Sequence, residues 1–171
     1  MRAQIVNIIH VSPEVYWQKL FFDEDYHHAL YAELSFPSCR IERLETDAQG
    51  RTRRVLRAVP PIHAPDFVRK QLEGKLYYVE DGTYDPATGL WQFTNRVSVA
   101  SDSVQIKGVI HTEPLPQGLR HVLDLEAKVA VFAVGSMFEH LIEKNTRDSY
   151  SVMRDFTNRY AREKGWLAAP A

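Results

Sequence analysis

The side chains able to do chemistry in this chain are few and scattered. Seven histidines (His10, His27, His28, His63, His111, His121 and His140) form no His-x-x-x-His pair and have no cysteine or carboxylate at ligand spacing. No metal is therefore expected. Cys39 is the only cysteine, which excludes an internal disulfide and a zinc site built on several thiolates. It sits in a strand-like run, not a nucleophile's turn. There is no Gly-x-Ser-x-Gly elbow and no Gly-rich phosphate loop, and no cofactor is expected. The acid pairs Asp23/Asp25 and Glu80/Asp81 read as solvated charges at loops and strand ends.

What remains is a set of lone polar residues on otherwise apolar faces. Asn145 and Ser149 interrupt the apolar stripe of a long C-terminal helical segment, in line with Phe138, Leu141, Val152 and Phe156. A buried polar group without a partner costs about 1–3 kcal/mol, so something must satisfy them. Either they face a cavity and its ligand, or Ser149 bonds back to a helix carbonyl and Asn145 bonds a strand. Asn95 shares a strand face with Trp91, Phe93 and Val97; His121 shares one with Leu119, Leu123, Leu125 and Ala127. Each is either a hydrogen-bonded core residue or one of the convergent polar groups of a small-molecule site. Tyr77 and Tyr78 point to opposite sides, and Tyr78 is taken as the inward one, with a place at the sheet rim as the plainer account.

These residues need elements to position them. Ile5, Asn7, Ile9 and Val11 alternate with Gln4, Val6, Ile8 and His10, a largely buried strand. Ser12-Pro13-Glu14 is an N-cap followed by proline at the first helical position, opening a helix to about Phe22. A second helical stretch runs from about Asp25 to Leu34. The period then changes to two. Strands over Cys39–Thr46, Arg51–Val59, Leu76–Tyr84, Leu90–Val99, Val104–Thr112 and Leu119–Val131 follow, joined mostly by turn sequences such as Asp47-Ala48-Gln49-Gly50. Between two of them Pro60–Gly74 makes a longer excursion with a short helix, Asp66–Leu72. The last element, about Val134 to Lys164, keeps Val134, Phe138, Leu141, Ile142, Val152, Met153, Phe156 and Tyr160 within roughly a third of the helix circumference. Gly165 can end it.

Bulk composition narrows the class. The chain has 171 residues, 44% apolar, with 21 basic and 22 acidic residues and a net charge of −1. It can bury a real core, and residues 1–171 are read as one domain. The balanced charge argues against nucleic acid as a partner. The one basic cluster, Arg51, Arg53, Arg54 and Arg57, either grips phosphates at a membrane surface or pairs across the hairpin with Glu42 and Glu45, so at most transient membrane contact is expected. No leader peptide, spanning segment or Asn-x-Ser/Thr site is read, and a soluble, cytoplasmic protein is expected. The oligomeric state stays open.

An order of strand, two helices, six antiparallel strands and a long terminal helix resembles the START-like superfamily, the SRPBCC or helix-grip fold, in an uncharacterised bacterial branch. The local likeness starts at Ile9-His10-Val11-Ser12-Pro13-Glu14-Val15-Tyr16-Trp17, where a first strand turns through Ser-Pro-Glu into an aromatic-bearing helix. The resemblance implies an α+β fold: a curved seven-stranded antiparallel sheet wrapped around the C-terminal helix, with two short helices after the first strand. It implies a hydrophobic cavity between sheet and helix, with Ile62 and Phe67 as a greasy lip in a gating loop.

The expected partner is a hydrophobic small molecule or lipid. Trp91, Phe93, Leu123, Phe138, Leu141 and Met153 would supply walls; Tyr78, Asn95, His121, Asn145 and Ser149 would supply polar contacts. The alternative is an enzyme of polyketide cyclase or hydratase type, with His121 as general acid or base and Tyr78 and Asn145 polarising a carbonyl.

Overall fold

The computed structural model describes residues 1–61, 66–99, 101–130 and 135–168, apart from the side chains of Phe67, Val68 and Gln71. Seven strands, β1 (Arg2–Ile9), β2 (Ser38–Thr46), β3 (Thr52–Val59), β4 (Tyr78–Asp85), β5 (Leu90–Val97), β6 (Val104–Leu115) and β7 (Gly118–Val129), form one antiparallel sheet in the order β1-β7-β6-β5-β4-β3-β2. Four helices accompany it: α1 (Pro13–Val15), α2 (Glu24–Glu33), α3 (Asp66–Leu72) and α4 (Gly135–Lys164). This is the expected helix-grip architecture.

Local sequence explains the first turn. Ser12 accepts the Val15 N–H at 3.2 Å, and Pro13 gives up no helical hydrogen bond. The helix expected through Phe22 stays α-helical for one turn only, then widens into a π turn, Tyr16–Leu20. That turn buries Tyr16, Trp17 and Leu20, and Phe21 follows at its C-cap, also buried. These side chains fill one end of the sheet's concave face. Asp23 caps α2 through the Tyr26 N–H at 2.7 Å.

In β1, Ile5, Asn7 and Ile9 are buried, while Val6 and Ile8 are each 42% exposed. The strand is thus half-buried, because the outer face of the sheet meets solvent. Its free edge is closed by α4, which runs alongside it in the same direction. Arg147 donates to the Gln4 carbonyl (3.1 Å), Asn7 donates to the Tyr150 carbonyl (3.2 Å) and Asn158 accepts from the His10 N–H (2.7 Å). Polar side chains of the helix occupy an edge that would otherwise pair with another chain. At the far end Gly165, with φ 69°, stops α4 in the left-handed conformation that glycine adopts without strain.

Register across the sheet fixes which residues share the concave face. Leu123 pairs with Ile110, which pairs with Trp91, which pairs with Tyr84. One layer along, Leu125, Gly108, Phe93, Gly82 and Arg54 follow in the same way, and beyond them Ala127, Ile106, Asn95, Glu80 and Leu56. Tyr78 pairs with Ala58 and Val97. The core fills the first of these layers; the site lies over the others.

Candidate functional site

The layer carrying Asn95 and Glu80 is not covered by the aromatic turn. Between it, α2 and α4 lies a cavity of about 600 Å³. Its walls are mainly Phe21, Phe93, Ile106, Leu123 and Met153, with Leu30 and Tyr31 from α2 and Ile142 and Val152 from α4. Seven of the residues picked out in the sequence meet here: Tyr78, Phe93, Asn95, Leu123, Asn145, Ser149 and Met153. Asn145 and Ser149 look down on the sheet from the middle of α4. The back-bonding expected of a mid-helix hydroxyl is made by other residues, Thr146 to the Ile142 carbonyl and Thr157 to the Met153 carbonyl. Asn95 has its side-chain oxygen buried without a partner among the described residues.

Four picked residues lie elsewhere. Trp91 is fully buried against Phe21 (ring centroids 5.1 Å apart) and over Gly82, where a Cβ would stand 2.3 Å from the indole. His121 is fully buried next to Tyr16 and Tyr150, with centroids 5.4 and 5.6 Å away. Neither ring nitrogen has a partner among the described residues, and burial pulls its pKa down to about 4. It is a neutral core imidazole and is not among the residues that line the cavity. Phe138 and Leu141 are each 37% exposed and lie outside the lining. Glu139 meets the N-terminus of the chain at 2.8 Å, so the first turn of α4 already runs past the start of β1. The lip expected at Ile62 falls outside the described residues, as does the side chain of Phe67.

A second depression, about 760 Å³, lies on the outer face of the sheet along Thr83, Gln92, Thr94 and Val109. It is open to solvent, and its charged groups are engaged, Glu126 taking both Arg2 and Lys107, Asp81 taking Arg53 and Asp124 accepting from Gln4. It offers no enclosed apolar surface.

The profile of a family described as "Protein of unknown function (DUF2505)" matches residues 8–161. The chain belongs to that family. No curated protein matches it. Among solved structures, TTHA0849 from Thermus thermophilus is similar with a TM-score of 0.61 at 17% identity, over 96% of this chain and 99% of that one. A START superfamily protein from Mycobacterium smegmatis gives 0.58 at 15% identity, over 95% and 98%. Zhui aromatase/cyclase from a Streptomyces species, R1128, gives 0.57 at 14% identity, over 100% and 99%. At these identities the likeness is one of fold, and the fold is START-like.

The most consequential residues of this DUF2505 chain's cavity are ones that sequence reasoning passed over. Arg54 is 3% exposed, although it belongs to the cluster read as a surface feature. Its Nη2 donates to Glu80 Oε1 at 2.7 Å; its Nη1 faces the Phe21 carbonyl and His27 Nε2, both at 2.6 Å. The guanidinium also stands over the Phe21 ring, 4.3 Å from its centroid. His27 must accept from the guanidinium, so its Nδ1 carries the proton and donates to the Asp23 carbonyl at 2.9 Å. Burial, reinforced by the Arg54 charge, lowers the His27 pKa to about 3. Glu80 is correspondingly a half-buried ion-pair partner and not a solvated strand-end charge, with 14% side-chain exposure.

The rest of the basic cluster is paired, though not as expected. Arg53 makes a two-pronged bridge to Asp81, Arg51 binds Asp47, and Arg57 stacks 3.6 Å over Tyr77. Glu42 and Glu45 bind Arg40 and Arg43 of their own strand. The alternation of Arg54 with Leu56 and Ala58 was the available sign that this one arginine points inward. Across the cavity, Tyr31 and Tyr78 share a hydrogen bond at 3.2 Å. Burial, with the Glu80 charge adding to it, raises the pKa of Tyr31, Tyr78 and Tyr150, so all three are neutral phenols. Burial likewise pushes the Cys39 thiol up to about 12, which removes it as a nucleophile near neutral pH.

Proposed function

We propose that the chain binds an apolar small molecule or lipid between the sheet and α4, as a carrier or sensor. The observation that carries this is the cavity itself: about 600 Å³, walled mainly by apolar and aromatic side chains with a few polar groups converging on it. That is the size and composition of a ligand site and too large for a packing defect. Burying about 300 Å² of apolar ligand surface would contribute roughly 7 kcal/mol before the costs of association. The START-like fold of the neighbours, one named as an aromatase/cyclase, supports a ligand-holding role. Turnover by His121 gains no support, because a general base must come within about 3 Å of the proton it takes and this imidazole is fully buried and does not line the cavity.

A pyrene titration followed by fluorescence and native mass spectrometry tests the proposal. Saturable uptake of one pyrene per chain, abolished in Ser149→Trp with folding preserved, is the expected result. Non-saturating uptake, or uptake indifferent to Ser149→Trp, would count against a ligand in this cavity.

A further inference from the structure

The polar end of the cavity carries hydrogen-bonding groups that the described residues leave unpartnered, and these select a class of ligand. Glu80 and Asn95 are direct partners across β4 and β5, so their side chains stand about 5 Å apart at Cβ on the concave face. Arg54 takes Oε1 of Glu80, and among the described residues no donor takes Oε2. The Asn95 oxygen has no donor among them either. These two acceptors share the corner with one unpartnered donor, the buried Nε–H of Arg54, so a group that both donates and accepts fits it. Tyr78, two residues from Glu80 on the same face, lies beside them. Its bond with the Tyr31 hydroxyl uses one of the pair's two phenolic protons and leaves the other to donate.

We propose that this corner receives a neutral hydroxyl on a ring-bearing apolar ligand, which donates to Glu80 or Asn95 and accepts from the Tyr31–Tyr78 pair. The inference rests on the cavity-binding reading above and names the chemistry of its ligand.

Charge decides between the head groups. Arg54 already neutralises Glu80, so the corner has no net charge to hold an ammonium group. A carboxylate or phosphate would set its lone pairs against two unsatisfied oxygens. The charge beside them is already engaged: Arg54 is 3% exposed, donates to Glu80 and the Phe21 carbonyl, contacts His27, and stands over the Phe21 and Trp91 rings at 4.3 and 4.9 Å. The shape of the body follows from the walls. Phe21, Tyr31, Tyr78, Phe93 and Tyr150 present rings to the cavity, which favours a flat polycyclic skeleton that can stack over a flexible acyl chain.

Three probes with one skeleton separate the possibilities: 1-hydroxypyrene, 1-methoxypyrene and pyrene-1-carboxylate, titrated at pH 7. The hydroxyl probe should bind at least tenfold more tightly than the methoxy probe, and the carboxylate most weakly. Asn95→Leu, which leaves the Arg54–Glu80 pair intact, should shrink the hydroxyl preference severalfold, whereas Tyr78→Phe, which removes a donor that both the hydroxyl and the methoxy oxygen can use, should weaken both probes. Glu80→Gln should abolish the preference if the variant folds. Equal binding of all three probes would overturn the inference and leave the cavity reading standing. Tightest binding of the carboxylate would overturn it too. If no probe binds, both fail together.

Discussion

The two ends of the concave face are built from the same strands and differ in what lies opposite them. On β5, Trp91 is fully buried and Phe93 nearly so, while Asn95, on the same face, belongs to the cavity lining. On α4, Phe156 and Thr157 are buried, and Thr157 bonds the Tyr26 hydroxyl at 2.6 Å, whereas Asn145 and Ser149 line the cavity two to three turns earlier. The packed end is filled by the aromatic turn after β1. The hollow end has no such insert. Alternation decides only whether a residue points inward; what it meets there is supplied by a distant segment.

The largest effect should come from the ion pair between the two ends. Arg54→Leu leaves the half-buried Glu80 without its partner and should cost about 3 kcal/mol in chemical denaturation. Arg54→Leu with Glu80→Leu should recover most of that loss. If the double variant is as unstable as the single, the pair is not what holds this part of the sheet.

The two glycines under aromatic rings compare the ends directly. A Cβ at Gly82 would stand 2.3 Å from the Trp91 indole, and one at Gly108 would stand 2.4 Å from the Phe93 ring. Trp91 has nowhere to go, so Gly82→Ala should cost about 1–3 kcal/mol or more. Phe93 can swing into the cavity, so Gly108→Ala should cost visibly less stability and instead weaken pyrene uptake. Equal losses would mean the hollow end is as rigid as the packed one.

Protonation probes the packed end alone. The unfolded chain protonates His121 near pH 6.5, the folded chain only near 4, because burial opposes the charge. The unfolded state thus binds more protons as pH falls through that window. Stability present above pH 6.5 should decline toward pH 4, by roughly 3 kcal/mol for this group alone. His27, lowered to about 3, extends the loss to lower pH. His121→Leu should flatten the upper part of the profile, and should keep or raise the melting temperature at pH 7, since it removes two unpartnered ring nitrogens. An unchanged acid slope would show that His121 does not drive it.

The smallest effect on stability should come from the hollow end. Asn145→Leu should move the melting temperature by only a few degrees, upward if at all, yet reduce uptake of the probe. A large loss of stability would make Asn145 a structural residue and remove one polar contact from the site.

Several features of the site were readable from local pattern. The placing of Asn95 beside Phe93, and of Asn145 and Ser149 on the stripe of α4, follows from periods of two and about 3.6. The period put Tyr77 and Tyr78 on opposite faces without deciding which points inward. Such periods could not separate Trp91 and His121 from the cavity, because both share faces with residues that do line it. Nor could they tell that Phe138 and Leu141 would end outside the lining, since the stripe continues unbroken along α4 while the cavity beneath it does not.

By itself the sequence determined the order of elements, the cap at Ser12, the stop at Gly165 and the direction most side chains point. These depend on backbone geometry over a few residues, where chain connectivity dictates the outcome. Only the tertiary structure decided that Arg54 leaves the basic cluster and goes inward. Its partners, Glu80 from β4, His27 from α2 and the Phe21 carbonyl, are brought together from 26 to 33 residues away. The same is true of the cavity, which is a volume left unfilled between elements and therefore belongs to none of them. A buried charge and an empty space are both set by what long-range packing brings opposite, and no local period carries that information.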